Sequence, residues 1–197
     1  MNGIEFLRWW HGDNLGHMEL TFIWPAKRQP VRHPHIRTAW YTLPDEYERM
    51  ATEARYVTEL NDAGYGVYYG ATLHGIQPPK VNGHATRPED DTVCLAPGFW
   101  ADVDLGGEEA VKREALAQLV DFHPAPSAIV DSGGGDHLYW KLAAPMLINT
   151  GIDAAELRAT VRGLALALQS DTTVCNPSRV MRLPGYINTK PGREQRC

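Results

Sequence analysis

Two carboxylates stand two residues apart in "FWADVDLGG", residues 99–107. The segment alternates like a strand. Phe99, Ala101, Val103 and Leu105 form an apolar face, and Trp100, Asp102 and Asp104 form the other. Asp102 and Asp104 would then project side by side, where like charges repel and burial is costly. A divalent cation offsets that repulsion, and paired hard oxygen ligands suit Mg²⁺ or Mn²⁺. A metal so held bridges phosphates and activates a hydroxyl for phosphoryl transfer. The bland alternative is an exposed strand whose acids face water.

Two further groups carry phosphate chemistry. "SGGGDHLYW", residues 132–140, holds glycines that expose backbone N–H groups in an anion-binding nest. His137 begins the outgoing strand there, on one face with Tyr139 and Lys141. A plain hairpin with a surface histidine is the alternative, yet three consecutive glycines exceed what a turn needs. "DTTVCNPSRVMRLPGYINTKPG", residues 171–192, follows. Asn176 and Pro177 predict the cap and first residue of a short helix over 178–183. That helix would place Arg179 and Arg182 on one face. With Lys190 they make a fork suited to a triphosphate or a nucleic-acid backbone, unless they are surface arginines paired to acids. Asp171 opens the segment and adds a third carboxylate.

The elements that must position these groups alternate between strand and helix. Residues 3–11 read as a helix and 18–24 as a strand. Residues 43–64 read as a helix, with Pro44 near its start, a stripe of Met50, Ala54, Val57 and Leu60, and Gly64 as the stop. A strand follows at 65–73. Residues 75–96 are rich in Pro, Asn, Asp and Gly and read as a long mobile loop, the expected boundary between lobes. After the aspartate strand comes an amphipathic helix at 107–122, two strands within 127–142 and a helix at 152–169. Leu157, Val161, Leu164 and Leu168 are its expected buried face. The class is α/β or α+β.

Composition bounds the rest. The 197 residues suffice for one domain with two lobes. Three cysteines without a C-x-x-C pair argue for a reducing compartment. With no apolar run long enough for a signal peptide or membrane span, the expectation is a cytoplasmic protein with no membrane partner. Net charge is −5, but it is segregated. Residues 1–40 hold five Lys/Arg against three acids, residues 176–197 five against one, and residues 41–175 nine against twenty. Basic ends around an acidic centre keep nucleic acid open as a partner.

The order D-x-D, S-G-x-G-x-H-x-Y-W and D-x7-R-x2-R-L-P-G resembles the archaeo-eukaryotic primase superfamily. The likeness is to primase-polymerase domains of plasmids, phages and other mobile or defence-associated loci. It lies in the last hundred residues; "YGVYYG" and its preceding helix resemble the N-terminal lobe more loosely. The resemblance implies a single catalytic domain over 1–197, with an N-terminal α/β lobe at 1–95 and an RRM-like palm lobe at 96–197. It implies that Asp102, Asp104 and Asp171 are catalytic and hold two Mg²⁺ or Mn²⁺ ions. His137, Ser132, Arg179, Arg182 and Lys190 would bind the nucleotide. Many family members carry Ser two residues before the His; here Gly135 stands there and Ser132 is five before, as in the plasmid and phage form.

The implied activity is DNA-directed primase-polymerase chemistry. A nucleotidyl group passes from a (d)NTP to a primer 3′-hydroxyl or an initiating nucleotide on single-stranded DNA. The template would follow the basic segment "KRQPVRHPHIR", with Trp9, Trp10, Trp24 and Trp40 as stacking candidates, most of them expected in the core. A longer protein carrying a helicase or accessory module is expected. Two other readings stand beside this one. "HPH", residues 33–35, with Tyr41 as nucleophile would suit a His-hydrophobic-His replication-initiator nuclease, although Pro34 disfavours the central strand it needs. A catalytically silent primase-like module that binds nucleic acid or nucleotides is the other.

Overall fold

The computed structural model describes residues 1–26, 35–104 and 122–197, with Asp104 described for its main chain alone. The helix expected at 107–122 and most of the basic segment at 27–37 therefore lie outside the described residues. Those described form a mixed α/β fold: one antiparallel sheet with three helices. Helix α1 spans Gly3–His11 and β1 Gly16–Ile23. Strand β2 is Ile36–Leu43, α2 Tyr47–Ala63, β3 Gly66–Gly70 and β4 Leu73–His74. Then come β5 at Val93–Asp104, β6 at Ala128–Asp131, β7 at Gly135–Leu147, α3 at Gly151–Ala167 and β8 at Val180–Arg182.

Local chemistry explains most of these boundaries. Asn2 and Glu5 form a capping box on α1, and Thr150 and Asp153 form one on α3. Gly64 ends α2 in the left-handed conformation at φ 113°. Helix α2 starts later than its sequence pattern predicts because β2 runs through Leu43, which pairs with Gly16. Strand β2 itself escaped the sequence reading, although "IRTAWYTL" is rich in β-branched and aromatic residues.

The sheet order is β6-β7-β5-β4-β1-β3-β8, with β2 on the other edge of β1. The expected lobe boundary at 95/96 falls inside β5, and strands from both sides of it share this sheet. One apolar cluster likewise draws Phe6 and Trp10 of α1, Tyr69 of β3, Trp100 of β5, Tyr139 of β7, Leu157 of α3 and Met181 of β8 together. Strand β5 begins at Val93, earlier than expected, and its register on β7 shifts between Ala96 and Gly98. Pro97 is tolerated at such an irregularity. A Cβ at Gly98 would lie 2.1 Å from the Trp140 carbonyl oxygen, so only glycine fits there.

Residues 75–92 are tied down at several points. Trp40 Nε1 donates to the Thr86 carbonyl, and Arg87 pairs with Glu19 through two nitrogens at 3.2 Å each. Asp90 accepts from Arg158 of α3 at 2.6 Å. These anchors lie at residues 86–90, and their partners come from distant parts of the chain.

Candidate active site

Antiparallel pairing builds the site. Across β5 and β7, Trp100 faces Tyr139 and Asp102 faces His137. Trp100 and Tyr139 are fully buried in the main core. One pair further on, the same face turns polar, with His137 Nε2 lying 3.7 Å from Asp102 Oδ1. Ala101, Leu138 and Trp140 form a second apolar cluster, with Leu164 of α3 and Leu168 at its C-cap against it. The strand is thus held by apolar packing on both sides, and Asp102 emerges half-buried at the edge of that packing. Asp104 pairs with Gly135, and its side chain lies outside the described residues.

His137 is buried, and burial lowers its imidazole to about 4 against the upward pull of the Asp102 carboxylate. Arg182, Arg179 and Lys190 push it down further. At neutral pH it is an uncharged donor or acceptor.

The two arginines reach the site differently from the sequence expectation. Residues 178–183 form no helix; Val180–Arg182 is strand β8, antiparallel to β3, with Tyr68 opposite Arg182 and Gly70 opposite Val180. Between Pro177 and Pro184 there is no room for a stable helix, whereas pairing with β3 satisfies the backbone. The guanidinium of Arg182 lies over the Tyr68 ring, 4.7 Å from its centroid, and Nη2 donates to the Tyr68 hydroxyl at 2.8 Å. Arg182 is 4% exposed. Arg179 is held through its carbonyl, which accepts from Ala71 N at 2.8 Å. Burial lowers the Arg179 pKa, and Asp102 and Asp171 oppose that shift. Arg182 Nη1 and Arg179 Nε are buried without an acceptor among the described residues.

Asp171 sits beside Asp102 in space: its amide donates to the Asp102 carbonyl at 3.3 Å. Its side chain is exposed and caps a 3-10 turn at Thr172–Val174, accepting from Thr173 N and Oγ1. Trp100 Nε1 donates to the Val174 carbonyl and ties that turn to β5. Among the described residues no three His, Cys, Asp or Glu side chains gather into a metal-sized group. Asp102 and Asp171 are the described members of the expected carboxylate set. Carboxylate oxygens are hard donors of the kind that Mg²⁺ or Mn²⁺ takes.

A cleft of about 280 Å³ opens over this face. Asp102, His137, Arg179, Arg182, Ser132 and Lys190, all named from the sequence, line it. Ser132 closes the β6–β7 turn, its hydroxyl donating to the Gly135 carbonyl at 3.0 Å. Lys190 is exposed, and its amide is held by Asn188 Oδ1. The cleft also takes Tyr68, Arg87 and Arg193, which the sequence reading missed. Arg87 bonds to the fully buried Glu19 and to the Ser178 carbonyl. No local pattern marks it, since Glu19 stands far away in sequence. Among the described residues five cationic side chains, Arg87, Arg179, Arg182, Lys190 and Arg193, surround the single carboxylate of Asp102.

Other expectations resolve less centrally. Trp10, Trp24 and Trp40 are core residues and Trp9 is half-buried. The Tyr41 hydroxyl is buried and donates to Glu53 at 2.7 Å, and burial pushes its pKa up. His35 is exposed ahead of β2, while His33 lies outside the described residues. No described helix is long and apolar enough to cross a membrane.

No protein-family model matches the sequence, and no curated protein matches it. Solved structures do match. The fold is that of archaeo-eukaryotic primase domains. The chain superposes on the archaeo-eukaryotic primase domain of the cyanophage S-2L primase-polymerase with a TM-score of 0.65 at 20% identity, over 98% of this chain and 85% of that one. It matches primase RepB′ with a TM-score of 0.59 at 13% identity, covering 99% of this chain and 54% of that chain. The catalytic domain of RepB′ in complex with initiator DNA gives 0.55 at 12% identity, over 98% and 81%.

Proposed function

We propose that this chain is the catalytic domain of a DNA-directed primase-polymerase. The observation that carries the proposal is the cleft: five cationic side chains, one of them, Arg87, already paired with Glu19, and His137 around the half-buried Asp102, with Arg182 Nη1 and Arg179 Nε buried and without an acceptor among the described residues. An unpaired buried charged donor costs free energy, and an anionic ligand removes that cost. Excess positive charge beside a carboxylate suits a nucleoside triphosphate better than a neutral substrate. The primase fold and the neighbour solved with initiator DNA support nucleic acid as the second partner.

In the reaction, a 3′-hydroxyl of a primer or initiating nucleotide attacks the α-phosphate, and pyrophosphate leaves. Asp102, with Asp104 and Asp171, would hold two Mg²⁺ or Mn²⁺ ions, which when bound lower the hydroxyl pKa and neutralise the leaving group. Arg179 and Arg182 bind the triphosphate oxygens, with Lys190 at the rim. His137 donates to a phosphate oxygen in its neutral form. The Tyr68 ring fixes the Arg182 fork, so little order is lost when the nucleotide binds.

A primed single-stranded DNA template, dNTPs or NTPs, and Mg²⁺ or Mn²⁺ test the reading. Primer extension should require the metal and disappear in Asp102→Ala while the thermal transition persists. Full extension by Asp102→Ala overturns the catalytic assignment. Tight nucleotide binding without extension under any of these conditions makes the chain a silent primase-like module.

A further inference from the structure

Tyr139 carries a hydroxyl that the proposed reaction does not use. It follows His137 on the same face of β7, where alternate side chains project together. Its side chain is fully buried. The ring packs edge-on against two aromatic residues of α1, Phe6 at 5.2 Å and Trp10 at 5.1 Å between centroids. Trp10 is itself fixed, because its Nε1 donates to the Ala71 carbonyl at 2.9 Å. A ring clamped in this way aims its hydroxyl in one direction. That direction is the His137 ring, where Tyr139 Oη lies 3.5 Å from Nδ1.

The proton of a buried phenol needs an acceptor. Among the described residues, the hydrogen-bond partner of the Tyr139 hydroxyl is His137 Nδ1. Burial raises the Tyr139 pKa; the Tyr69 hydroxyl, equally buried, opposes that shift as a donor does, but reaches no partner at hydrogen-bond geometry. Tyr69 therefore does not take the Tyr139 proton.

Two tautomers of His137 are then unequal. With the ring proton on Nδ1, the phenol proton has no acceptor, and a bare Nε2 lone pair faces Asp102 Oδ1 at 3.7 Å. With the ring proton on Nε2, Nδ1 accepts from Tyr139, and an N–H faces the carboxylate and the cleft. The second arrangement removes both costs.

We propose that Tyr139 is a positioning residue for His137: its hydroxyl donates to Nδ1, fixes the orientation of the ring and leaves the imidazole proton on Nε2, turned to the cleft. Helix α1 thereby acts on the site through Phe6 and Trp10 without lining it. The inference rests on the nucleotidyl-transfer reading for what Nε2 meets in the cleft, a phosphate oxygen. That oxygen accepts a hydrogen bond from an N–H and is repelled by a lone pair.

Nitrogen NMR of the isotope-labelled chain at neutral pH, without metal, reads the tautomer directly, with the His137 signals identified by their loss in His137→Ala. Nε2 should appear as the N–H nitrogen, and Nδ1 as a bare nitrogen that accepts a hydrogen bond. Tyr139→Phe keeps the ring and removes the hydroxyl, so Nδ1 should move toward the frequency of an unbonded nitrogen. Calorimetric titration of dATP in Mg²⁺ should show affinity lowered about 2- to 10-fold by Tyr139→Phe, the range for one neutral hydrogen bond. In a His137→Ala background the same substitution should cost nothing further. Tyr69→Phe, which removes the neighbouring buried hydroxyl, should leave the nitrogen signals and the affinity unchanged. A proton on Nδ1, an Nδ1 signal or an affinity indifferent to Tyr139→Phe, an undiminished loss in His137→Ala, or an equal response to Tyr69→Phe overturns the proposal. A wild-type chain that binds no nucleotide overturns the nucleotide reading instead, and the nitrogen signals still decide the tautomer.

Discussion

At the scale of a single residue, Arg182 joins the sheet to the cleft, and in the nucleotidyl-transfer reading it binds the nucleotide. Its charge is almost wholly buried, one edge is bonded to Tyr68, and Nη1 has no acceptor among the described residues. Arg182→Ala should weaken nucleotide binding by about 1.5–3 kcal/mol, the range for hydrogen bonds to charged groups. Arg182→Lys should recover only part, because an ammonium cannot both stack on Tyr68 and offer a planar fork. Affinity for single-stranded DNA should change much less. Parallel titrations of labelled nucleotide and labelled DNA make the comparison. A selective loss of DNA affinity would move Arg182 to the template path.

At the scale of elements, Asp90 matters more than its place in a loop suggests. Its carboxylate accepts from Ser178 N at 2.9 Å, Ser178 Oγ at 2.6 Å and Arg158 at 2.6 Å. Thr72 Oγ1 holds the neighbouring Pro177 carbonyl at 2.9 Å. These bonds fix the residues just before Arg179 against α3 and the β3–β4 junction. Burial alone would raise the Asp90 carboxyl, but the Ser178 hydrogen bonds, with Arg158 and Asn176, hold it below the usual carboxylate range. Asp90→Ala should cost about 1–3 kcal/mol of stability, since it leaves buried donors unpaired. It should also raise the KM for nucleotide more than it lowers kcat, because Arg179 loses its support. Since the folded pKa is depressed, the wild-type contribution is present above the ordinary carboxylate pKa and lost as pH falls below it. Denaturation at several pH values, with steady-state kinetics, checks both; an unchanged KM would show that Arg179 is positioned without Asp90.

Across the whole molecule, a continuous sheet and a shared apolar cluster join the described elements, and two histidines outside the candidate site, His11 and His74, are buried and uncharged. His11 bonds through Nε2 to the Gly70 carbonyl, and burial lowers its pKa to about 3. His74 bonds to Thr92 Oγ1, and burial with nearby Arg87 lowers its pKa to about 4. In the unfolded chain both titrate near about 6.5. The unfolded state therefore binds more protons between the two values, so stability rises with pH across that window and is lost as pH falls through it. Each histidine contributes on the order of 3–5 kcal/mol across its full window. Chemical denaturation should show the chain weakening from about pH 6.5 toward 4, and His74→Gln should flatten that slope. A slope indifferent to His74→Gln would mean that its imidazole is protonated in the folded chain.

The residues themselves determined the local parts of this picture. Asn2 with Glu5 starts α1, the stripe through Leu157 and Val161 seats α3, and alternation places Asp102 on a strand. Residue type and motif order singled out eight candidates; the cleft collects six of them, Asp102, His137, Arg179, Arg182, Ser132 and Lys190, while Asp171 is not among its lining residues and the Asp104 side chain lies outside the described residues. Tertiary structure decided the rest. The segment at 178–183 is short enough that pairing with β3 overrides its helix-like cap, which turns the expected helical fork into a strand against Tyr68. Arg87 and Arg193 entered the cleft through Glu19 and Gly134, partners remote in sequence, as did the anchoring of Asp90 to Ser178. Periodicity and caps report interactions within a few residues of each other. Which charge is buried beside which is fixed only when strands far apart in the chain lie side by side, because only then are their polar groups removed from water together.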